Sequence, residues 1–130
     1  MIKPVSPDII YNGFLGGDLN KEKAAELLMS LIEMSEIAQI RIKSLTLLKK
    51  VKFKNPKIYN MLEDCLVSDE NPLVRAATVD ILINSYLDES LNPIIWALEH
   101  DKSPLVIKTI IDFFDINENP KYKLVTKNLT

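Results

Sequence analysis

The stretch Asp69-Glu70-Asn71-Pro72-Leu73-Val74-Arg75-Ala76-Ala77-Thr78 decides how the rest of this chain is read, because it returns twice in altered form. Ile40-Arg41 aligns with Val74-Arg75, and Val74-Arg75 with Val106-Ile107, at shifts of 34 and 32 residues. A period in this range points to stacked supersecondary units, each too small to bury its own apolar face. In this register Leu45, Val79 and Ile111 share a column, as do Leu47, Ile81 and Phe113, and again Leu48, Leu82 and Phe114. Within the middle copy Leu73, Val74, Ala77, Ile81 and Leu82 recur at helical spacing, which predicts one buried stripe of an amphipathic helix.

The preceding segments obey the same shifts. Leu28, Leu62 and Ile94 form one column, Leu31, Cys65 and Ala97 the next, and Ile32, Leu66 and Leu98 a third. Each copy is therefore a pair of helices, and their starts are marked by capping chemistry. Asn55-Pro56, Asn71-Pro72 and Ser103-Pro104 each place a side-chain acceptor before a proline suited only to a first helical turn. The expected fold is all-α: a single domain over residues 1–130, made of a short helix near 7 to 15 stopped by Gly16-Gly17 and hairpins at about 20–50, 55–87 and 89–116. Pro93 falls inside the first helix of the third hairpin, where a kink or a late start is expected. Asn119-Pro120-Lys121-Tyr122 repeats the form of Asn55-Pro56-Lys57-Ile58, so residues 119–130 read as the start of a fourth repeat or a cap.

The 69–78 stretch, followed by Leu82, resembles the turn and second-helix signature of HEAT repeats, including the short prokaryotic HEAT-like form found in PBS-lyase-type proteins. The third copy keeps Asp101, Pro104, Val106 and Phe114 but has Ile107 in the arginine column. The first keeps Arg41, Ser44 and Leu48 but has Ser35 in the aspartate column and lacks the proline. Spanning roughly residues 20 to 116, the resemblance implies an α-solenoid of about three HEAT-like hairpins. It also implies an inter-repeat ladder in which Arg41 pairs with Asp69 and Arg75 with Asp101 across the interhelical turns. Ser44 and Thr78 hold a small-residue column that lets helices approach closely; Ile110 breaks it, and looser or differently angled packing is expected there.

Composition narrows the function. A chain of 130 residues with 47% apolar and 26% charged residues has the makings of a folded domain rather than a disordered segment. A net charge of −2 supplies no global field for nucleic acid or an anionic membrane, so both are disfavoured as partners. Apolar runs fall far short of the roughly 18 residues of a membrane span. Pro4, Pro7 and Asp8 interrupt the stretch a signal peptide would need, so the expected location is cytoplasmic. One cysteine and one histidine offer neither a disulfide nor a closed zinc site, and no cofactor is expected.

No spaced set of nucleophiles, bases or metal ligands converges, so the chain is read as a non-enzyme. Glu63-Asp64 diverge by about 100° on a helix, His100 suits a helix C-terminus, and Cys65 belongs to an apolar column. Gly13, Gly16 and Gly17 lack the lysine of a phosphate loop. The expected function is a non-catalytic scaffold or adaptor that binds a protein or another domain of a longer chain. The rival readings are a nucleic-acid-binding HEAT-like module and an accessory lyase-like protein. The candidate partner-binding residues are Ile95 and Trp96, in columns otherwise partly polar, with Lys43 and Asp80 on a second-helix face that turns from basic to acidic. The bland alternative for Trp96 is packing against the tail or a further repeat.

Overall fold

A computed structural model describes residues 5–117, with side chains through residue 114. Among the described residues the chain is all helical: α1 (Pro7–Leu15), α2 (Lys21–Met34), α3 (Ala38–Val51), α4 (Pro56–Ser68), α5 (Pro72–Ser85), α6 (Leu87–His100) and α7 (Pro104–Asn117). The expected fourth repeat or cap at 119–130 lies outside the described residues.

Local chemistry sets the helix boundaries. The side-chain oxygens of Asn20, Asn55 and Asn71 accept from the backbone amides of Lys23, Ile58 and Leu73, each at 2.8 Å, and so satisfy donors that the first turn leaves open. Gly17 stops α1 with φ of +87°, a left-handed conformation that a side chain would strain. α3 has no such glycine; Lys52 takes the left-handed position itself, at φ +59°.

α2 packs on α3, α4 on α5 and α6 on α7, so consecutive helices pair as hairpins. α3, α5 and α7 also contact in succession, as do α2, α4 and α6, which sorts the paired helices into two layers. The core lies between the layers: Leu28, Ile32, Leu45, Leu62, Leu82 and Ile94 are fully buried there. Because α5 touches α3, α4, α6 and α7, its burial extends well round the helix, from Val74 and Thr78 to Ile81 and Ile83. Leu73 departs from the expected stripe and is 49% exposed, since the first turn of α5 places it one step round from Val74, which is buried. Cys65 is half buried rather than buried, and burial pushes its thiol pKa up. In the small-residue column, the buried Ser44 and Thr78 hydroxyls donate to the Ile40 and Val74 carbonyls within their own helices. Ile110 is fully buried too, so its bulk is accommodated inside the packed interior.

The third hairpin begins at Leu87, two residues before the expected start, and Pro93 lies within α6 without delaying it. A single residue, Tyr86, links α5 to α6. Pro93 has no amide proton for the carbonyl of Glu89, four residues back, but the Tyr59 hydroxyl of α4 donates to that carbonyl at 2.8 Å. A neighbouring hairpin thus supplies the hydrogen bond that proline removes, which lets the helix run through it.

Candidate functional site

The turns joining paired helices carry the most buried ion pairs among the described residues. Arg41, in the first turn of α3, forms an ion pair with Asp69, the residue that ends α4, and its Nε donates to the Ile32 carbonyl at 3.1 Å. Arg75, in the first turn of α5, grips Asp101, the residue that ends α6, side-on: Nε to Oδ2 at 2.9 Å and Nη2 to Oδ1 at 3.1 Å. Its Nη1 donates to the Asp69 carbonyl at 2.7 Å. Each carboxylate also organises its own turn, Asp69 accepting from the Asn71 amide and Asp101 from the Ser103 amide, both at 2.9 Å. The side chains of Asp69 and Asp101 are only 4% and 5% exposed, so these are buried, hydrogen-bonded ion pairs spanning successive hairpins.

A second feature lies on the outer face of α4 and α6. Trp96 is 42% exposed, and its ring stacks on that of His100 with centroids 4.7 Å apart and planes 14° apart. His100 Nδ1 lies 2.9 Å from the Trp96 carbonyl, an arrangement that places a proton on that nitrogen. Ile95 is half buried against the core, so the two neighbours do not form one exposed pair. Trp96 instead joins Tyr59, Glu63, Val67, Glu89 and Pro93 around an open groove of about 590 Å³. At the Tyr59 end the groove adjoins a hollow of about 340 Å³ bordered by Lys54, Tyr86 and, again, Glu89. Comparison with family models, curated proteins and solved structures finds no match. The residues themselves must therefore carry the functional argument.

Electrostatics distinguish the groove from an ordinary helix surface. Burial, the nearby Glu63 carboxylate and the charge of Glu89 push the Tyr59 phenol up to about 12. Burial likewise pushes Tyr86 up, opposed by the Asn55 backbone amide. The Tyr86 hydroxyl is buried with no hydrogen-bond partner of good geometry, while Lys54 Nζ sits 4.8 Å from the centre of its ring. Glu63 and Asp64, adjacent in sequence, border two different hollows; Asp64 faces the one beside Arg41 and Cys65. Among the described residues, no group of three or more His, Cys, Asp or Glu side chains could hold a metal ion. Nor is any described helix long and apolar enough to cross a membrane.

Raising the pH tests the Tyr59 environment. The folded-state pKa stands above the ordinary 10.0, so Tyr59's contribution is complete below pH 10 and is lost as pH climbs through about 12. Tyr59→Phe is expected to flatten the fall in stability between pH 10 and 12 and to remove a tyrosine that titrates near pH 12 from an absorbance titration near 295 nm. An unchanged alkaline profile would show that Tyr59 ionises like a solvated phenol.

Lys43 and Asp80 do not converge on one site. Lys43 reaches Asp8 of α1 at 3.8 Å, and Asp80 takes Lys49 of α3 at 2.9 Å. Lys108 and Asp112 pair within α7. The turn from basic to acidic residues along this layer is thus locally paired, which weakens it as a field. Sequence reasoning missed Tyr59, Tyr86, Lys54 and Glu89. A signal was available: a proline inside a helix leaves a carbonyl that needs a donor, but the identity of that donor depends on which helices are neighbours.

Proposed function

We propose that this chain is a small α-solenoid of HEAT-like hairpins that acts as a non-catalytic protein-interaction scaffold. The observation that carries the reading is the recurrence of one inter-hairpin device: Arg41 with Asp69, and Arg75 with Asp101, at corresponding turns of a two-layered helical stack. Such pairs fix the offset between hairpins, and an array of fixed hairpins presents an extended surface whose shape selects a partner. Trp96 supports a binding role, because tryptophan is among the side chains enriched at the energetic centre of protein interfaces and this one is 42% exposed. The nucleic-acid alternative gains little from Lys49, Lys52 and Lys54, which border one hollow, since Lys49 is engaged by Asp80 and Lys54 by the Tyr86 ring.

Parallel affinity purification tests the scaffold reading, using the unaltered chain, Lys43→Glu, Asp80→Lys and Trp96→Ala. The expected result is a protein recovered in near-equimolar amount with the unaltered chain and reduced with at least one variant. If no such protein is recovered, or all four recover the same set equally, the scaffold reading fails.

A further inference from the structure

We infer that the groove between α4 and α6 docks an extended segment of a partner protein in which a lysine or arginine stands beside apolar residues. The inference rests on the scaffold reading but assigns the partner's chemistry and a face distinct from the α3, α5 and α7 layer.

Three observations lead to this occupant. The groove is open and exposes apolar groups: Trp96 is 42% and Val67 48% exposed, and Tyr59 and Pro93 line it with them. Exposed apolar groups gathered with aromatic rings form a surface that gains by being covered. Second, Glu63 and Glu89 flank those walls from α4 and α6, and neither is in an ion pair among the described residues. Among the described residues the ion pairs all use aspartates, and no glutamate has one, so what sets Glu63 and Glu89 apart is their place beside the rings of Tyr59 and Trp96. Two carboxylates with no ion pair among the described residues, beside an indole and a phenol, favour a cation, whose attraction to the ring faces adds to its attraction to the carboxylates. Third, the chain makes this contact within itself at the groove's end, where the Lys54 ammonium lies over the Tyr86 ring in the hollow shared with Glu89.

The dimensions favour an extended segment. Tyr59 to Val67 spans eight helical steps, or about 12 Å at 1.5 Å per residue, which matches about four residues of extended chain. The partner's basic side chain would lie between Glu63 and Glu89, with an apolar neighbour against Trp96 and Val67.

Selection from a displayed library of random eight-residue peptides tests this on the full chain. Affinities are then read by fluorescence anisotropy of labelled peptide and by the emission of Trp96, the chain's sole tryptophan. The expected consensus is Lys or Arg next to Leu, Met or Phe, with a blue shift of Trp96 emission on binding. Exchanging the basic residue of a selected peptide for Glu, or combining Glu63→Gln with Glu89→Gln, should each weaken binding about tenfold. Trp96→Ala should weaken it about tenfold by anisotropy. Thermal melting of each variant shows whether a lost signal reflects unfolding; the two Gln substitutions keep the side-chain shape and serve as the second route if Trp96→Ala is unstable.

The inference is overturned by an acidic or purely apolar consensus, by no consensus, or by affinities indifferent to the Gln pair. It is equally overturned if light scattering shows a dimer that Trp96→Ala dissolves, since a second copy would then occupy the groove. A partner captured through Lys43 or Asp80, together with an empty peptide selection, would leave the scaffold reading standing and remove only this groove.

Discussion

Replacing Arg75 with alanine is expected to lower the free energy of unfolding by about 3–5 kcal/mol, the usual penalty for stranding one member of a buried ion pair. Asp101 would keep its bond from the Ser103 amide but lose both guanidinium contacts, and its side chain is only 5% exposed. Water cannot easily replace what the arginine supplied. The Asp69 carbonyl would also lose the donor it receives at 2.7 Å, so the substitution disturbs the turns that follow both α4 and α6. Chemical denaturation of Arg75→Ala, Asp101→Ala and the double variant gives the coupling. The double variant should be destabilised by clearly less than the sum of the two, because the second change removes the charge stranded by the first. Lys49→Ala breaks a pair that is largely solvated and should cost no more than about 1 kcal/mol. Equal effects at Arg75 and Lys49 would mean that the turn carboxylates are hydrated in solution.

Leu82→Ala is expected to cost a similar amount, about 3–4 kcal/mol, by a different route. Leu82 is fully buried on α5, the helix that touches both members of the third hairpin as well as α3 and α4. Removing its isobutyl group loses transfer free energy and leaves a cavity that four packed neighbours prevent from collapsing. Leu73→Ala, on the same helix but half exposed, should lie within about 0.5 kcal/mol of the unaltered chain. Urea midpoints for the pair check this directly. If Leu82→Ala were as mild as Leu73→Ala, the interior around α5 would be loosely packed.

The contrast between these two leucines marks where periodicity stops being informative. Both fit a helical stripe drawn through Val74, Ala77 and Ile81, yet one is wholly covered and the other half open. A stripe gives the direction of the core but not the length of the neighbouring helix that covers each end. Cys65 shows the same limit: its column partner Ala97 is buried, whereas Cys65 itself borders the hollow beside Arg41.

The candidate site was legible in unequal parts. Arg75 and Asp101 lie at corresponding turns of a repeating pattern, and the resemblance to HEAT repeats implied them as partners; the side-on geometry belongs to the structure. Trp96 stood out because its column is otherwise polar, but the groove around it did not. Tyr59, Glu63 and Val67 come from one hairpin, and Glu89, Pro93 and Trp96 from the next. No local pattern relates their heights along two different helices.

What the sequence by itself determined is the all-helical class and most helix starts, because caps, prolines and apolar spacing act over three or four residues and need no distant partner. Only the tertiary structure decided how Pro93 could sit within a continuous helix, which face of α6 carries the exposed Trp96, and which carboxylates stand beside the rings of Tyr59 and Trp96. Each of those outcomes depends on the offset between neighbouring hairpins, set by packing and ion pairs between residues about thirty positions apart, beyond the reach of any local signal.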